Sequence, residues 1–198
     1  MLSYAWDNTF CKQNIVLNNV TLWDIENPYL YSLKTNIYAN GKLTYTVTTN
    51  FGVRDIYFDA NKGFFLNGKN VKIKGLCCHH DHAGLGIAQN KNVFEYRIAQ
   101  MKSMGANAYR SAHHMPTDEL LDICDRIGMF VFDETRRMSS APQDLECLRT
   151  MVKHARNHPS VFLYGIGNEE IFSQHRKETA KNNCYYENRN QKSIEPVK

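Results

Sequence analysis

The chain has 198 residues, of which 42% are apolar and 22% are charged, and its formal net charge is +4, as in an ordinary globular protein. The basic residues are scattered, which argues against a nucleic-acid partner, and the absence of any run of about 18 apolar residues argues against a membrane partner. The first ten residues lack the basic and apolar regions of a signal peptide. Six cysteines without CxxC spacing are expected to be free thiols, which favours a reducing, cytoplasmic compartment.

Residues 1–58 are predicted to be β structure. The apolar run 15–17 predicts a short strand. The alternating stretches 30–38 and 43–48 flank the turn 39–41 and predict a hairpin. Several short strands with turns between them favour part of an immunoglobulin-like β-sandwich, which in full needs about 100 residues.

From residue 59 onward, strands and helices alternate. A hairpin turns at Asn67-Gly68, and its return strand ends at 75–76, before a polar cluster at 77–82. Helical spacing of apolar residues, with glycine or proline at the ends, predicts three helices: 93–104, 117–127 and 145–156. Short apolar runs predict three further strands: 106–109, 129–132 and 161–166. This alternation predicts a parallel sheet with right-handed crossovers.

Each of these strands is followed by polar residues. Active sites of (β/α)8 barrels lie at the carboxyl ends of the strands. A doubly wound sheet also alternates strand and helix, but it often carries a glycine-rich phosphate loop, and this sequence has none. We therefore predict an α/β fold in which residues 59–198 form the N-terminal half of a TIM barrel.

The strand 161–166 leads directly to Asn168 and Glu169. A carboxyl group at the mouth of a buried strand is partly desolvated, which raises its pKa and lets it act as a general acid near neutral pH. The alternative is that these residues are only the polar beginning of the next helix.

Two other polar clusters have competing interpretations. The pair His80 and His82 has the spacing of metal-dependent amidohydrolases, but a zinc site needs three or four ligands. Polar lining of a sugar site, or solvated histidines, are the other interpretations. The carboxylates Asp133 and Glu134 end a strand, and we expect them to brace a barrel arginine, because buried carboxylates usually have partners.

These residues resemble glycoside hydrolase family 2, the β-galactosidase and β-glucuronidase family. The resemblance covers most of the chain in the family's order, and it rests on these motifs: Asn50-Phe-Gly-Val-Arg54, Phe65-Leu-Asn-Gly-Lys69, Lys74-Gly-Leu76 with His79, Asn107-Ala-Tyr-Arg110 with His113, Leu121 to Gly128, Val131-Phe-Asp-Glu134, Arg156-Asn-His-Pro-Ser-Val161 and Gly167-Asn-Glu169. The stretch 22–31 looks like the last part of the family's immunoglobulin-like domain. The sequences of residues 84–86 and 133–140 are more similar to those of the β-galactosidases.

The resemblance implies a role for five residues. Glu169 matches the family's general acid/base, and Asn168 matches the residue that hydrogen-bonds the sugar 2-hydroxyl. His79 and His113 match histidines of the sugar subsite, and Arg110 matches an arginine that braces it. No cofactor is implied. Position 135 onward reads Thr-Arg-Arg where some galactosidases have a magnesium-binding Glu-x-His, so we predict no metal.

The family retains anomeric configuration, which requires a second carboxylate about 5–5.5 Å from the acid as nucleophile. In the family this residue lies on a later strand, and residues 170–198 contain no matching motif. We therefore expect a truncated chain that has the acid/base but not the nucleophile of a retaining β-galactosidase, with a β-galactoside or related carbohydrate as substrate. The alternative is a non-catalytic fragment or pseudoenzyme that binds a sugar or assembles with a second copy or a complementing fragment, because a half barrel leaves a parallel edge open.

Overall fold

The computed structural model describes residues 11–168. It contains nine strands and three helices in that range, and they follow one another along the chain as β1 (Tyr31–Ala39), β2 (Lys42–Phe51), β3 (Ile56–Asp59), β4 (Gly63–Leu66), β5 (Lys69–Asn70), β6 (Gly75–His79), α1 (Lys91–Ser103), β7 (Ala108–Ala112), α2 (Asp118–Ile127), β8 (Phe130–Glu134), α3 (Pro142–Ala155) and β9 (Val161–Gly165). The strands form three sheets, with the orders β1-β2, β3-β4-β5 and β6-β7-β8-β9.

The β1–β2 hairpin confirms the first predicted strand pair. Its turn places Asn40 and Gly41 at positive φ, a conformation that these two residue types adopt at the lowest steric cost. The hairpin is the described part of the predicted immunoglobulin-like sandwich. The strand predicted at 15–17 was wrong: residues 11–30 form no strand, and Ile15 and Val16 are exposed. A three-residue apolar run becomes a strand only where another strand pairs with it.

The second hairpin is also confirmed, but its return strand is shorter than predicted. Strand β5 has two residues, and β6 is a separate strand of the parallel sheet. Asn107 explains the break, because its side chain donates to the carbonyl of Lys72 at 2.9 Å and accepts from the amide of Lys74 at 2.7 Å. These bonds take the place of strand hydrogen bonds at Lys72 and Lys74, in the segment between β5 and β6. The predicted domain boundary, between residues 58 and 59, falls inside β3 and stays a prediction.

Strands β6 to β9 are all parallel to their neighbours. Buried residues of α1, α2 and α3 pack against one face of this sheet through side chains such as Val131. Phe130, the residue before it, points to the opposite face, because side chains alternate along a strand. The three predicted helices are thus confirmed, and the sheet is the beginning of a TIM barrel, as predicted.

The amino-terminal edge of the parallel sheet is closed by residues from the preceding segment. Trp23 is fully buried against Phe64 and Phe130, and its indole N–H donates to the carbonyl of Asp125 at 2.8 Å. The Lys102 ammonium donates to three carbonyl groups, which belong to Ile25, Ile127 and Gly128. These contacts fill one end of the sheet and leave its carboxyl edge for the polar side chains.

Two further findings concern the cysteines and the length of the helices. The five cysteines of the described range, which are Cys11, Cys77, Cys78, Cys124 and Cys147, are all free thiols, as predicted for them. Within residues 11–168, no helix has the length and apolar character needed to cross a membrane.

Candidate functional site

The candidate site lies at the carboxyl edge of the parallel sheet. His79 is the last residue of β6, Arg110 lies in the middle of β7, and Glu134 is the last residue of β8. Asn168 follows β9 by three residues. Because parallel strands bring their carboxyl ends to one edge, four separate stretches of sequence contribute to one polar cluster.

Glu134 is the centre of this cluster. Its side chain is 0% exposed, and its two oxygens bind different partners. Oε2 accepts from Nε of Arg110 at 2.7 Å, and Oε1 lies 2.7 Å from Nδ1 of His113. A buried carboxylate is costly unless it is paired in this way. The predicted brace is thus confirmed for Glu134.

Arg110 connects the carboxylate to the rest of the site. Its Nη2 donates to Oδ1 of Asn168 at 2.8 Å, and its guanidinium lies over the Phe132 ring, 5.7 Å from the ring centre. Hydrogen bonds with the Cys77 thiol and with Glu134 raise the pKa of Arg110. The arginine is therefore a fixed cation, held in one orientation by several partners.

The two site histidines lie edge to face. The ring centres of His79 and His113 are 5.2 Å apart. Since the Glu134 carboxylate accepts a hydrogen bond, Nδ1 of His113 is the protonated nitrogen, and Nε2 is left to bind a ligand. Imidazole and guanidinium groups in fixed positions can hydrogen-bond the hydroxyl groups of a sugar.

The structure brings together four of the five residues predicted from the sequence: His79, Arg110, His113 and Asn168. Glu169 lies outside the described residues. The sequence predicted Glu134 as a brace for an arginine but not as a member of the site, although its position at the end of a strand, with an arginine in the preceding strand, was a usable signal. The Cys77 thiol, 3.4 Å from Nη1 of Arg110, was also not predicted.

Asp133 has a different environment from Glu134, because alternation along β8 turns it toward the helices. It is fully buried, and burial raises its pKa to about 8. Among residues 11–168, Asp133 forms no ion pair with an arginine, so the predicted brace does not extend to it.

His80 and His82, the pair weighed against a sugar site as an alternative metal site, are not among the clustered metal-ligating side chains of residues 11–168. There, the three side chains whose ligand atoms lie within 4.8 Å of one another are Asp122, Asp125 and His158, which lie toward the opposite edge of the sheet. Asp125 already pairs with His158 at 2.7 Å and accepts from the amide of Ser160 at 3.0 Å, which makes it a brace between α2 and the start of β9.

His80, the first residue of that pair, packs against aromatic rings. Its ring lies 5.4 Å from that of Phe94 and 5.2 Å from that of His114. Burial and the neighbouring His114 lower the pKa of His80. These contacts attach the residues after β6 to α1 and to the loop after β7.

Two family models match the chain. The model described as "Glycosyl hydrolases family 2, TIM barrel domain" matches residues 59–144, and "Glycosyl hydrolases family 2" matches residues 5–54. Similar curated proteins include the β-galactosidase BoGH2A of Bacteroides ovatus, which is 40% identical over 171 residues. A β-glucuronidase of Bacteroides fragilis is 29% identical over 170 residues.

These alignments cover most of the chain but little of each relative. They include 80% of the chain and 20% of BoGH2A, and 78% of the chain and 24% of the B. fragilis protein. Among solved structures, a glycosyl hydrolase family 2 member from Bacteroides cellulosilyticus superposes with a TM-score of 0.75 at 36% identity, over 84% of this chain and 24% of that one. The chain thus spans about a fifth of the length of the first curated relatives that it matches.

Proposed function

Starting from the membership of this chain in glycosyl hydrolase family 2, we propose that it supplies the proton donor and the sugar-binding side of a retaining β-glycosidase site, with β-galactosides as substrates. The observation that supports this proposal is the polar cluster in which buried Glu134 binds Arg110 and His113. Arg110 in turn binds Asn168, the residue directly before Glu169 in the chain.

Each group has a separate task in this site. Glu134 orients Arg110 and His113, whose remaining N–H groups and Nε2 face sugar hydroxyls. Asn168 binds the hydroxyl next to the reacting carbon, where hydrogen bonds strengthen in the transition state. Glu169 protonates the glycosidic oxygen as the bond breaks, and it later removes a proton from water.

The second carboxylate of a retaining reaction lies about 5–5.5 Å from the acid and attacks the anomeric carbon. Residues 170–198 offer no matching motif. We assign this nucleophile to a segment outside the 198 residues, so that turnover depends on both parts.

The choice of galactoside rests on two observations. The sequences of 84–86 and 133–140 resemble those of the β-galactosidases, and the 40% identical relative is named a β-galactosidase. Proteins named β-glucuronidase are also among the relatives, so the test compares the two sugars directly.

Sugar binding by the 198-residue chain tests the site without requiring turnover. We expect saturation-transfer NMR to detect methyl β-galactoside in preference to methyl β-glucuronide, and Arg110→Gln to abolish the signal. Circular dichroism of the variant provides the folding control. Equal signals from both sugars, or a signal that survives Arg110→Gln, would contradict the proposal.

The role of Glu169 is tested in protein that contains both carboxylates. A leaving group of low pKa departs without protonation, so Glu169→Gln should slow an alkyl β-galactoside far more than 2,4-dinitrophenyl β-galactoside. Equal slowing of both substrates would remove Glu169 from the acid role.

A second candidate function is a non-catalytic fragment that assembles with another segment. It is favoured by the β1–β2 hairpin, where a row of large apolar side chains is exposed on one face: Leu33, Ile37, Tyr45 and Val47. Light scattering coupled to gel filtration distinguishes the two candidates, since a stable assembly without sugar binding would favour the second.

A further inference from the structure

The loop between β6 and α1, residues 80–90, begins directly after the site residue His79. Its middle folds onto itself, because the amides of His82 and Leu85 donate to the carbonyls of Gly86 and His82, both at 3.0 Å. Leu85 and Ile87 are exposed. The loop therefore depends on contacts at its two ends for its position on the protein.

Arg97, on α1, makes most of the polar contacts that hold these ends. Its Nη1 donates to the carbonyl of Asp81 and to Oε1 of Gln89, both at 2.8 Å. Its Nη2 donates to the carbonyl of His79 at 3.4 Å. One guanidinium therefore binds the last residue of β6, the second residue of the loop and its second-last residue at the same time.

The same face of α1 supplies an apolar contact. Phe94 precedes Arg97 by three residues, so the two side chains are neighbours on the helix, and its ring meets that of His80. Asn90 caps α1 by accepting from the amides of Asn92 and Val93. The end of the loop is thus fixed to the helix that carries Arg97.

We propose that Arg97 is a positioning residue for the sugar site: it fixes the residues after β6 and thereby sets the orientation of His79. The effect of Arg97 on sugar binding rests on the proposed function, whereas the anchoring of the loop by Arg97 does not. The planar fork of a guanidinium can reach several acceptors in fixed directions, whereas a lysine ammonium is a single point of attachment. Arg97→Lys should therefore not restore the contacts fully.

Amide hydrogen exchange of the 198-residue chain tests whether Arg97 anchors the loop. We expect Arg97→Gln to speed exchange of the amides of residues 82–88 about tenfold or more, Arg97→Lys to have an intermediate effect, and Gln89→Leu to have a smaller one, since each removes charge-assisted hydrogen bonds. The control is Arg126→Gln, because Arg126 is exposed and its 3.0 Å ion pair with Glu95 lies on the helix surface.

Three outcomes of the exchange experiment would overturn the inference. One is unchanged exchange of residues 82–88 in Arg97→Gln, and another is an equal rise throughout the chain, which would indicate a general loss of stability. Full rescue by Arg97→Lys would reduce the role to that of a charge and would also overturn it.

Sugar binding, measured in parallel, separates this inference from the proposed function. We expect Arg97→Gln to weaken methyl β-galactoside binding severalfold at unchanged melting temperature. If the unaltered chain binds no sugar but Arg97→Gln still loosens the loop, the proposed function fails and the loop anchor stands. If the chain binds sugar equally with and without Arg97, the positioning role fails.

Discussion

Replacing Glu134 by glutamine tests the organisation of the site. The amide keeps the shape of the carboxylate but loses its charge, and its NH2 group must face an N–H donor of either Arg110 or His113. Breaking a buried ion pair costs about 3–5 kcal/mol. The Arg110 and His113 side chains are 24% and 30% exposed, so water replaces part of the lost interaction, and we expect a loss of about 2–3 kcal/mol.

Urea unfolding, followed by circular dichroism, measures this loss. The matched control is Glu95→Gln, which removes an exposed ion pair with Arg126 whose members are 46% and 54% exposed; such a pair contributes little to stability because water and salt screen it. A Glu134→Gln variant whose free energy of unfolding matches that of the control would refute the view that a buried, doubly paired carboxylate organises the site.

Three further predictions concern stability. Gly128 has φ +77, and a Cβ there would lie 2.3 Å from a backbone oxygen, whereas Gly105 has φ +86 and open space around it. Gly105→Ala should therefore cost only the roughly 1–2 kcal/mol of left-handed strain, and Gly128→Ala should cost more. Urea unfolding of both variants measures the difference. Burial lowers the pKa of His158, but its hydrogen bond with Asp125 raises it overall. The stability that His158 contributes is therefore fully present below a pH of about 6.5 and is lost as pH rises through the folded pKa. In His158→Asn, the free energy of unfolding should change less with pH above about 6.5 than in the unaltered chain. Burial raises the pKa of Asp133 to about 8, so the free energy of unfolding should fall as pH rises from about 4 toward 8, by at most about 1.4 kcal/mol per pH unit, and Asp133→Asn should remove this decline when its unfolding is measured over the same range.

The order of elements could be predicted from the sequence because apolar spacing and glycine positions directly record how each segment is buried. The ends of the strands could not. The third strand of the parallel sheet was predicted to stop at residue 132, at the first polar side chain, but β8 continues to Glu134. In the same way β7 includes Arg110 and Ser111. A polar residue normally ends a buried strand, yet here the partners of these residues lie inside the protein.

The contacts between site residues lie beyond sequence reasoning for a related reason. Arg110 and Glu134 are 24 positions apart, and no local pattern states that they meet. The resemblance to a family identified which residues share a site, but it did not reveal that Glu134 binds two of them. Such pairings follow from the register of neighbouring parallel strands, which is fixed by packing on both faces of the sheet.

The pairing of Arg110 bears on the proposed choice between a galactoside and a uronide. Arg110 is a fixed cation in the cluster around Glu134, and the Glu134 carboxylate pairs with it at 2.6 Å. A uronic acid would bring a carboxylate into this edge, and an arginine that is already paired with a carboxylate offers it little net attraction. A neutral sugar needs only directed hydrogen-bond donors, which Arg110, His79 and His113 supply. The charge balance of the described edge is therefore an argument for the proposed galactoside over a uronate, and the comparison of the two methyl glycosides tests it.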